Sequence, residues 1–216
     1  MADLRVLVVD DQPLMAYALK AYIDAADGMT TVAVAEDGQQ AVDAVAALAP
    51  DVVLMDLQMP VLDGVQATRA ITRGDHPVPV VAITTFTSER HLLPVLRAGA
   101  VGFLAKDAKP AQVAAAVRAA AEGAVTVTPQ AIAQLLERIE EDRRPAPESD
   151  DAGVTARELE VLELLAGGLP NRAIARQLVV SEGTVKAHLG SLMVKLAAEN
   201  RVDLLVRALR RGLVRI

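Results

Sequence analysis

Residues 4–11 read LRVLVVDD, and residues 52–56 read VVLMD. Each is a short apolar run, rich in branched side chains, that ends abruptly in aspartate. A run of this length without alternating polar positions fits a strand buried on both faces. The strands are placed at Leu4–Val9 and Val52–Met55, and three more runs follow the pattern at Thr31–Ala35, Val78–Ile83 and Val101–Leu104. Between them lie amphipathic stretches near Pro13–Ala25, Gln39–Ala47, Gly64–Arg73, Glu89–Ala98 and Pro110–Glu122.

Strict alternation of strand and helix predicts an α/β unit with a five-stranded parallel sheet. Parallel strands need crossover helices, and right-handed crossovers wind them into a doubly wound, flavodoxin-like sandwich. After this unit a further helix is expected from Thr128 as N-cap, with Pro129 in its first turn, to about Asp142. Residues 143–153, RRPAPESDDAG, read as a linker by composition.

The stretch beyond has no strand signal. Thr155-Ala-Arg-Glu158 has capping-box spacing and opens a helix with Leu159, Leu162 and Leu165 on one face. Gly167-Gly168 ends it. Asn171 is expected to cap a short helix, Arg172–Leu178, and Ser181 to cap the next, Glu182–Leu196. A last helix is expected from about Arg201 to Arg211, closed by Gly212. A short helix and a tight turn before the third helix have the form of a helix-turn-helix unit within a small all-α, four-helix domain. The predicted division is 1–127, 128–153 and 154–216.

Charge divides along the same lines. Over 216 residues the net charge is −6; residues 1–136 carry −6, residues 137–152 carry −4 and residues 153–216 carry +4. The acidic front and basic tail imply different partners, the tail fitting nucleic acid. The chain has no cysteine, which excludes a disulfide framework, a Cys-ligated zinc site and a thiol nucleophile. No apolar run spans a bilayer and no signal peptide opens the chain, so a soluble, cytoplasmic protein with no membrane partner is expected.

Asp10, Asp11 and Asp56 all end strands. Ligands of open parallel sheets collect beyond the carboxyl ends of the strands, and first and third strands commonly lie side by side. Three converging carboxylates repel unless a cation sits among them. Oxygen-only ligands favour a hard ion, and Mg²⁺ suits a partly hydrated site. Thr84 and Lys106 end later strands. A hydroxyl and an ammonium beside carboxylates and Mg²⁺ fit a phosphoryl group, and an aspartate can itself be the phosphorylated nucleophile.

These marks resemble the NarL/FixJ family of two-component response regulators, which join a receiver to a LuxR-type helix-turn-helix. The receiver marks are Asp10-Asp11, Asp56, Met59-Pro60 with Asp63-Gly64, Thr84, and Lys106 after Gly102-Phe103-Leu104-Ala105. Spacings of 45, 28 and 22 separate Asp11, Asp56, Thr84 and Lys106. The resemblance implies Asp56 as phosphoacceptor. It implies Asp11, Asp56 and the Gln58 carbonyl as Mg²⁺ ligands, with Asp10 acting through water, and Thr84 and Phe103 as the switch pair. Two features depart from the pattern. Asp107 follows Lys106 where many receivers have proline. Pro94 falls inside the Glu89–Ala98 helix pattern, so that helix is expected to begin near His91 and to leave Thr85–Arg90 as a mobile loop.

Residues Thr155–Val214 are similar to LuxR-type domains, marked by Thr155-Ala-Arg-Glu158, Gly168-Leu169, Ile174-Ala175, Ser181-Glu-Gly-Thr-Val-Lys186, His188 and Lys195-Leu196. In the third helix Val185, Leu189, Leu192 and Leu196 share one face, predicted to be buried. The opposite face holds Gly183, Ala187, Gly190 and Val194. If it enters the major groove of double-stranded DNA, base readout is sparse: Lys186 reaches a guanine edge or a phosphate, Ala187 a thymine methyl, and Gly190 offers no side chain. Asn171, Thr184 and Lys195 are assigned to phosphates. Arg207, Arg210 and Arg211 read as a solvated helix face. Weak single-module binding calls for two copies on paired promoter half-sites.

The expected function is therefore a transcriptional regulator, not an enzyme, phosphorylated by a partner sensor histidine kinase and forming a homodimer when phosphorylated. The resemblance points to the first and fifth helices as the pairing face. The acidic linker is expected to shield the basic module before activation. Two rival readings stand against this one. A phosphohydrolase of the haloacid type would need a second aspartate where Gln58 stands. A receiver gated by a small molecule instead of phosphate is disfavoured by the intact acidic site.

Overall fold

The computed structural model describes residues 3–74, 76–85, 89–125 and 153–214, with the backbone alone at 89–91 and 93. The helix and linker expected between Thr128 and Gly153, and residues 86–88 of the expected loop, lie outside this set, apart from Gly153 itself. The chain divides into two compact units, Met1–Thr126 and Val127–Ile216.

The first unit alternates β1 (Leu4–Val9), α1 (Pro13–Asp24), β2 (Met29–Ala35), α2 (Gly38–Leu48), β3 (Val52–Asp56), α3 (Gly64–Arg73), β4 (Val80–Thr84), α4 (Glu89–Ala98), β5 (Gly102–Ala105) and α5 (Pro110–Ala121). All strands pair in parallel, in the order β2-β1-β3-β4-β5. This is the predicted flavodoxin-like sheet, with β1 and β3 adjacent. Side-chain alternation makes two cores. Val6, Val8, Leu54 and Ile83 face Leu19 and Ile23 of α1 and Val113 and Val117 of α5. Leu7, Val9, Val53 and Met55 face Ala41 of α2 and Ala67 and Ile71 of α3.

The start of α4 corrects the sequence expectation. The helix begins at Glu89, not near His91, and runs through Pro94. Proline there forfeits one backbone hydrogen bond, a cost of about 3 kcal/mol. Its ring is exposed, while Leu92, Val95, Leu96 and Ala98 are buried. Burial of large apolar side chains contributes about 1.5–3 kcal/mol each, enough to offset that cost.

The second unit comprises α6 (Ala156–Ala166), α7 (Asn171–Leu178), α8 (Glu182–Lys195) and α9 (Arg201–Arg210). Thr155 and Glu158 form the predicted capping box. The buried face of α6 is Glu158, Val161, Leu162 and Leu165, so Val161 replaces the expected Leu159 on the i, i+3, i+4, i+7 stripe. Pro170, not Asn171, is the N-cap of α7, and Asn171 is its first helical residue. Val179 closes α7 in a left-handed conformation (φ 56), which makes the tight turn before Ser181. Ser181 caps α8 by accepting from the Thr184 N–H at 3.0 Å. Val185, Leu189, Leu192 and Leu196 are buried as predicted. No helix among the described residues is long and apolar enough to cross a membrane.

Candidate functional site

Strand geometry delivers the acidic site. Asp10 follows the last residue of β1, Asp56 is the last residue of β3 and Thr84 the last of β4. Lys106 directly follows β5, its N–H donating to the Thr84 carbonyl at 2.7 Å. All four are buried polar residues at the carboxyl edge of the sheet. Of the two threonines at that edge, Thr84 is the buried one and Thr85 is exposed.

Lys106 Nζ lies 2.7 Å from Asp10 Oδ2 and 2.8 Å from Asp56 Oδ2. Asp56 Oδ1 accepts from the Leu57 N–H at 2.7 Å and from the Gln58 N–H at 3.4 Å. Asp10 Oδ1 accepts from the Gln12 N–H at 3.0 Å. Burial raises the Asp10 carboxyl above its usual range, and the hydrogen bonds from Lys106 and Gln12 only partly oppose it. Burial works against the Lys106 charge, yet its bonds to Asp10 and Asp56 outweigh this and its ammonium titrates above the usual lysine value.

One oxygen from each of Asp10, Asp11 and Asp56 falls within 4.8 Å of the others. The donor set is entirely oxygen. Asp11 Oδ1 and Thr84 Oγ1 are buried without a hydrogen-bond partner. Buried orphans of this kind are rare, and here both stand where an external group would satisfy them. The residues therefore fit a hard divalent cation and a phosphoryl group. Phe103 is half-buried in β5, paired in register with Ala82. Ile83 and Leu104 pack on the α1 and α5 side, so by alternation Thr84 and Phe103 share the opposite face.

The loop after β3 is packed against its own strand. The Gly64 N–H donates to the Leu57 carbonyl at 3.1 Å, and Asp63 caps α3. A Cβ at Gly64 would stand 1.9 Å from the Asp56 carbonyl oxygen. Only glycine lets α3 start this close to the strand end that carries Asp56.

In the second unit Lys186 and Ala187 are exposed on α8, and a Cβ at Gly190 would meet open space. Thr184 Oγ1 lies 2.9 Å from Ser181 Oγ. Asn171 Oδ1 accepts from the Arg201 guanidinium at 2.6 Å. Burial brings Arg201 down to about 10. Arg207 pairs with Asp203 along α9 at 2.8 Å. Lys195, expected from the sequence to meet a phosphate, donates to Glu158 Oε2 and to the Gly153 carbonyl, both at 2.6 Å.

Glu158 is the residue that sequence spacing undervalued. Its carboxylate also accepts from the Thr155 N–H at 2.7 Å, from Thr155 Oγ1 at 2.9 Å and from Ser191 Oγ at 2.7 Å. Burial alone would raise this carboxyl, but the bonds from Lys195, Thr155 and Ser191 hold it down at about 2, against an ordinary 4.5. A depressed carboxyl stabilises the fold above its unfolded value, and that stability is lost as pH falls from 4.5 toward 2. Glu158→Gln is thus expected to cost about 2–3 kcal/mol at neutral pH. Urea unfolding of both proteins across this range checks it: the gap between them should narrow steadily below pH 4.5.

A parallel sheet that gathers carboxylates, a threonine and a lysine at one edge, on a chain that also carries a helix-turn-helix, has the form of a receiver domain followed by a DNA-binding module. Residues 6–118 match the response regulator receiver domain, and residues 152–208 match the LuxR family of bacterial regulatory proteins. The chain is 38% identical over 212 residues to the uncharacterized transcriptional regulatory protein YxjL of Bacillus subtilis, covering 98% of this chain and 97% of that one. It resembles the crystal structure of the response regulator ChrA of a heme-sensing two-component system, with 36% identity and a TM-score of 0.55 over 99% of this chain and 100% of that chain. It also resembles RcsB in a complex with DNA, with 26% identity and a TM-score of 0.56 over 97% of this chain and 98% of that chain. The chain belongs to the two-component response regulators that join a receiver to a LuxR-type helix-turn-helix, a family of transcriptional regulators.

Proposed function

We propose that a sensor histidine kinase phosphorylates Asp56, and that the phosphorylated chain pairs with itself and binds paired half-sites on promoter DNA. The observation that carries this reading is the convergence of Asp10, Asp11, Asp56, Thr84 and Lys106, with buried oxygens of Asp11 and Thr84 lacking partners. Asp11, Asp56 and the Gln58 carbonyl would hold Mg²⁺, with Asp10 acting through water. When bound, the ion neutralises charge on the phosphoryl oxygens during transfer.

The protein's own residues do the rest. The Leu57 and Gln58 N–H groups orient the Asp56 carboxylate. An Asp56 oxygen forms the bond to phosphorus as the P–N bond of the donor phosphohistidine breaks. Lys106 leaves its carboxylate partners to pair with a phosphoryl oxygen, and Thr84 Oγ1 donates to another. Thr84 moves toward the phosphoryl group, and Phe103 on the same face follows, which biases the receiver between two states. Leu14 and Tyr17 of α1 are largely exposed, and with the exposed part of α5 they supply the pairing surface. Pairing raises the effective concentration of two DNA-binding domains. On DNA, Lys186, Ala187 and Gly190 meet base edges. Thr184 and the Asn171 amide donors meet phosphates. The corresponding domains are 1–127, 128–153 and 154–216.

Incubation with acetyl phosphate and Mg²⁺, read by intact mass and by oligomer size, tests the reading. Wild type is expected to gain one phosphoryl group and to dimerise; Asp56→Asn is expected to do neither. Full uptake by Asp56→Asn, or no uptake by wild type, sinks the assignment.

A further inference from the structure

The apolar face of α8 fixes where the helix lies but fixes its rotation poorly. Hydrophobic contact is non-directional, so a smooth face of Val185, Leu189, Leu192 and Leu196 permits small rolls about the helix axis. A roll would move Lys186, Ala187 and Gly190 away from any base edges they face. Hydrogen bonds are directional and resist it.

The directional restraint is on the flank. At 3.6 residues per turn Ser191 and Lys195 stand one above the other, about a quarter-turn from both the buried face and the face carrying Ala187 and Gly190. Both reach one group, the buried carboxylate of Glu158: Ser191 Oγ bonds Oε1 at 2.7 Å and Lys195 Nζ bonds Oε2 at 2.6 Å. Glu158 cannot follow a rolling helix. Its Oε2 is also held by the backbone N–H and hydroxyl of Thr155, the N-cap of its own helix α6. Lys195 is anchored a second time by the Gly153 carbonyl. If Lys195 turned to a phosphate, Glu158 would keep a buried charge with no cation beside it.

We infer that Glu158 clamps the rotation of α8 through Ser191 and Lys195, so that Lys195 is a positioning residue for base readout and not a phosphate contact. This rests on the reading of α8 as the helix that meets DNA. The clamp sets the ratio of specific to non-specific binding, and the Lys195 charge stays out of counterion release.

Salt titrations separate the two roles. The full chain, treated with acetyl phosphate, is titrated onto a duplex it selects from a random pool and onto an unselected duplex, at several salt concentrations. Each phosphate contact contributes about 0.9 to the slope of log K against log salt. Lys195→Met is expected to weaken the selected duplex roughly 10-fold, to leave the unselected duplex unchanged and to keep both slopes. A slope lower by about 0.9 on both duplexes, with equal losses of affinity, overturns the inference. Ser191→Ala keeps every charge and is mild enough to fold. It is expected to lower the specificity ratio about 3-fold with a melting temperature only a few degrees below wild type, since one hydrogen bond to the buried carboxylate is lost, and an unchanged ratio also overturns the inference. If the wild-type chain binds neither duplex, the DNA reading itself fails, an outcome distinct from either slope result.

Discussion

Gly64→Ala is expected to destabilise the receiver unit by about 3 kcal/mol or more and to abolish phosphoryl uptake. The added Cβ would lie 1.9 Å from the Asp56 carbonyl oxygen and 2.7 Å from Leu57 Cα. These are backbone atoms and cannot rotate aside as a side chain would. Either α3 lifts off the sheet, breaking the Gly64 to Leu57 hydrogen bond, or the end of β3 moves and takes Asp56 with it. Gly190→Ala provides the contrast. Its Cβ meets nothing within 4 Å. There the substitution is expected to stabilise by up to about 1 kcal/mol through helix propensity alone. Thermal unfolding of the two variants beside wild type checks both signs. A Gly64→Ala protein that melts with wild type and still takes up phosphate would remove glycine's role as the spacer of the site.

Lys106→Met is expected to lower the melting temperature of the receiver by about 10 °C in metal-free buffer. Lys106 is buried with Asp10 and Asp56, at 2.7 and 2.8 Å. Removing the cation leaves two buried carboxylates facing each other. Breaking a buried pair from one side costs about 3–5 kcal/mol. Asp56→Asn in the same cluster is expected to be far milder, since Asp10 still pairs with Lys106. Added Mg²⁺ is expected to restore part of the loss in Lys106→Met, because a divalent ion among the carboxylates replaces the missing charge. A Lys106→Met melt that matches wild type without metal would mean that the carboxylates do not rely on Lys106.

Much of this was legible in the sequence, for identifiable reasons. Parallel strands buried on both faces read as unbroken apolar runs, so such runs locate β1, β3 and β4 within a residue or two of their bounds. The residues that meet at the sheet edge, Asp10, Asp56, Thr84 and Lys106, are legible because each stands where such a run stops. What failed was long-range. The local cost of Pro94 predicts a late start for α4, and burial of Leu92, Val95 and Leu96 overrides that cost. Asn171 has the chemistry of a cap, but Arg201, 30 residues on, takes its oxygen. Glu158 carried a correct local signal, the capping box. Its partner Lys195 lies 37 residues away, and no spacing rule connects them.

The most direct measurement follows the binding of the full chain to a selected DNA duplex before and after acetyl phosphate with Mg²⁺, alongside Asp56→Asn. Phosphorylation of wild type is predicted to raise affinity roughly 10–100-fold with two chains bound per duplex, as avidity of a linked pair requires. Asp56→Asn is predicted to hold its low affinity under both conditions. Complete phosphoryl uptake at Asp56 with no change in affinity or stoichiometry would contradict the coupling of the acidic site to DNA binding.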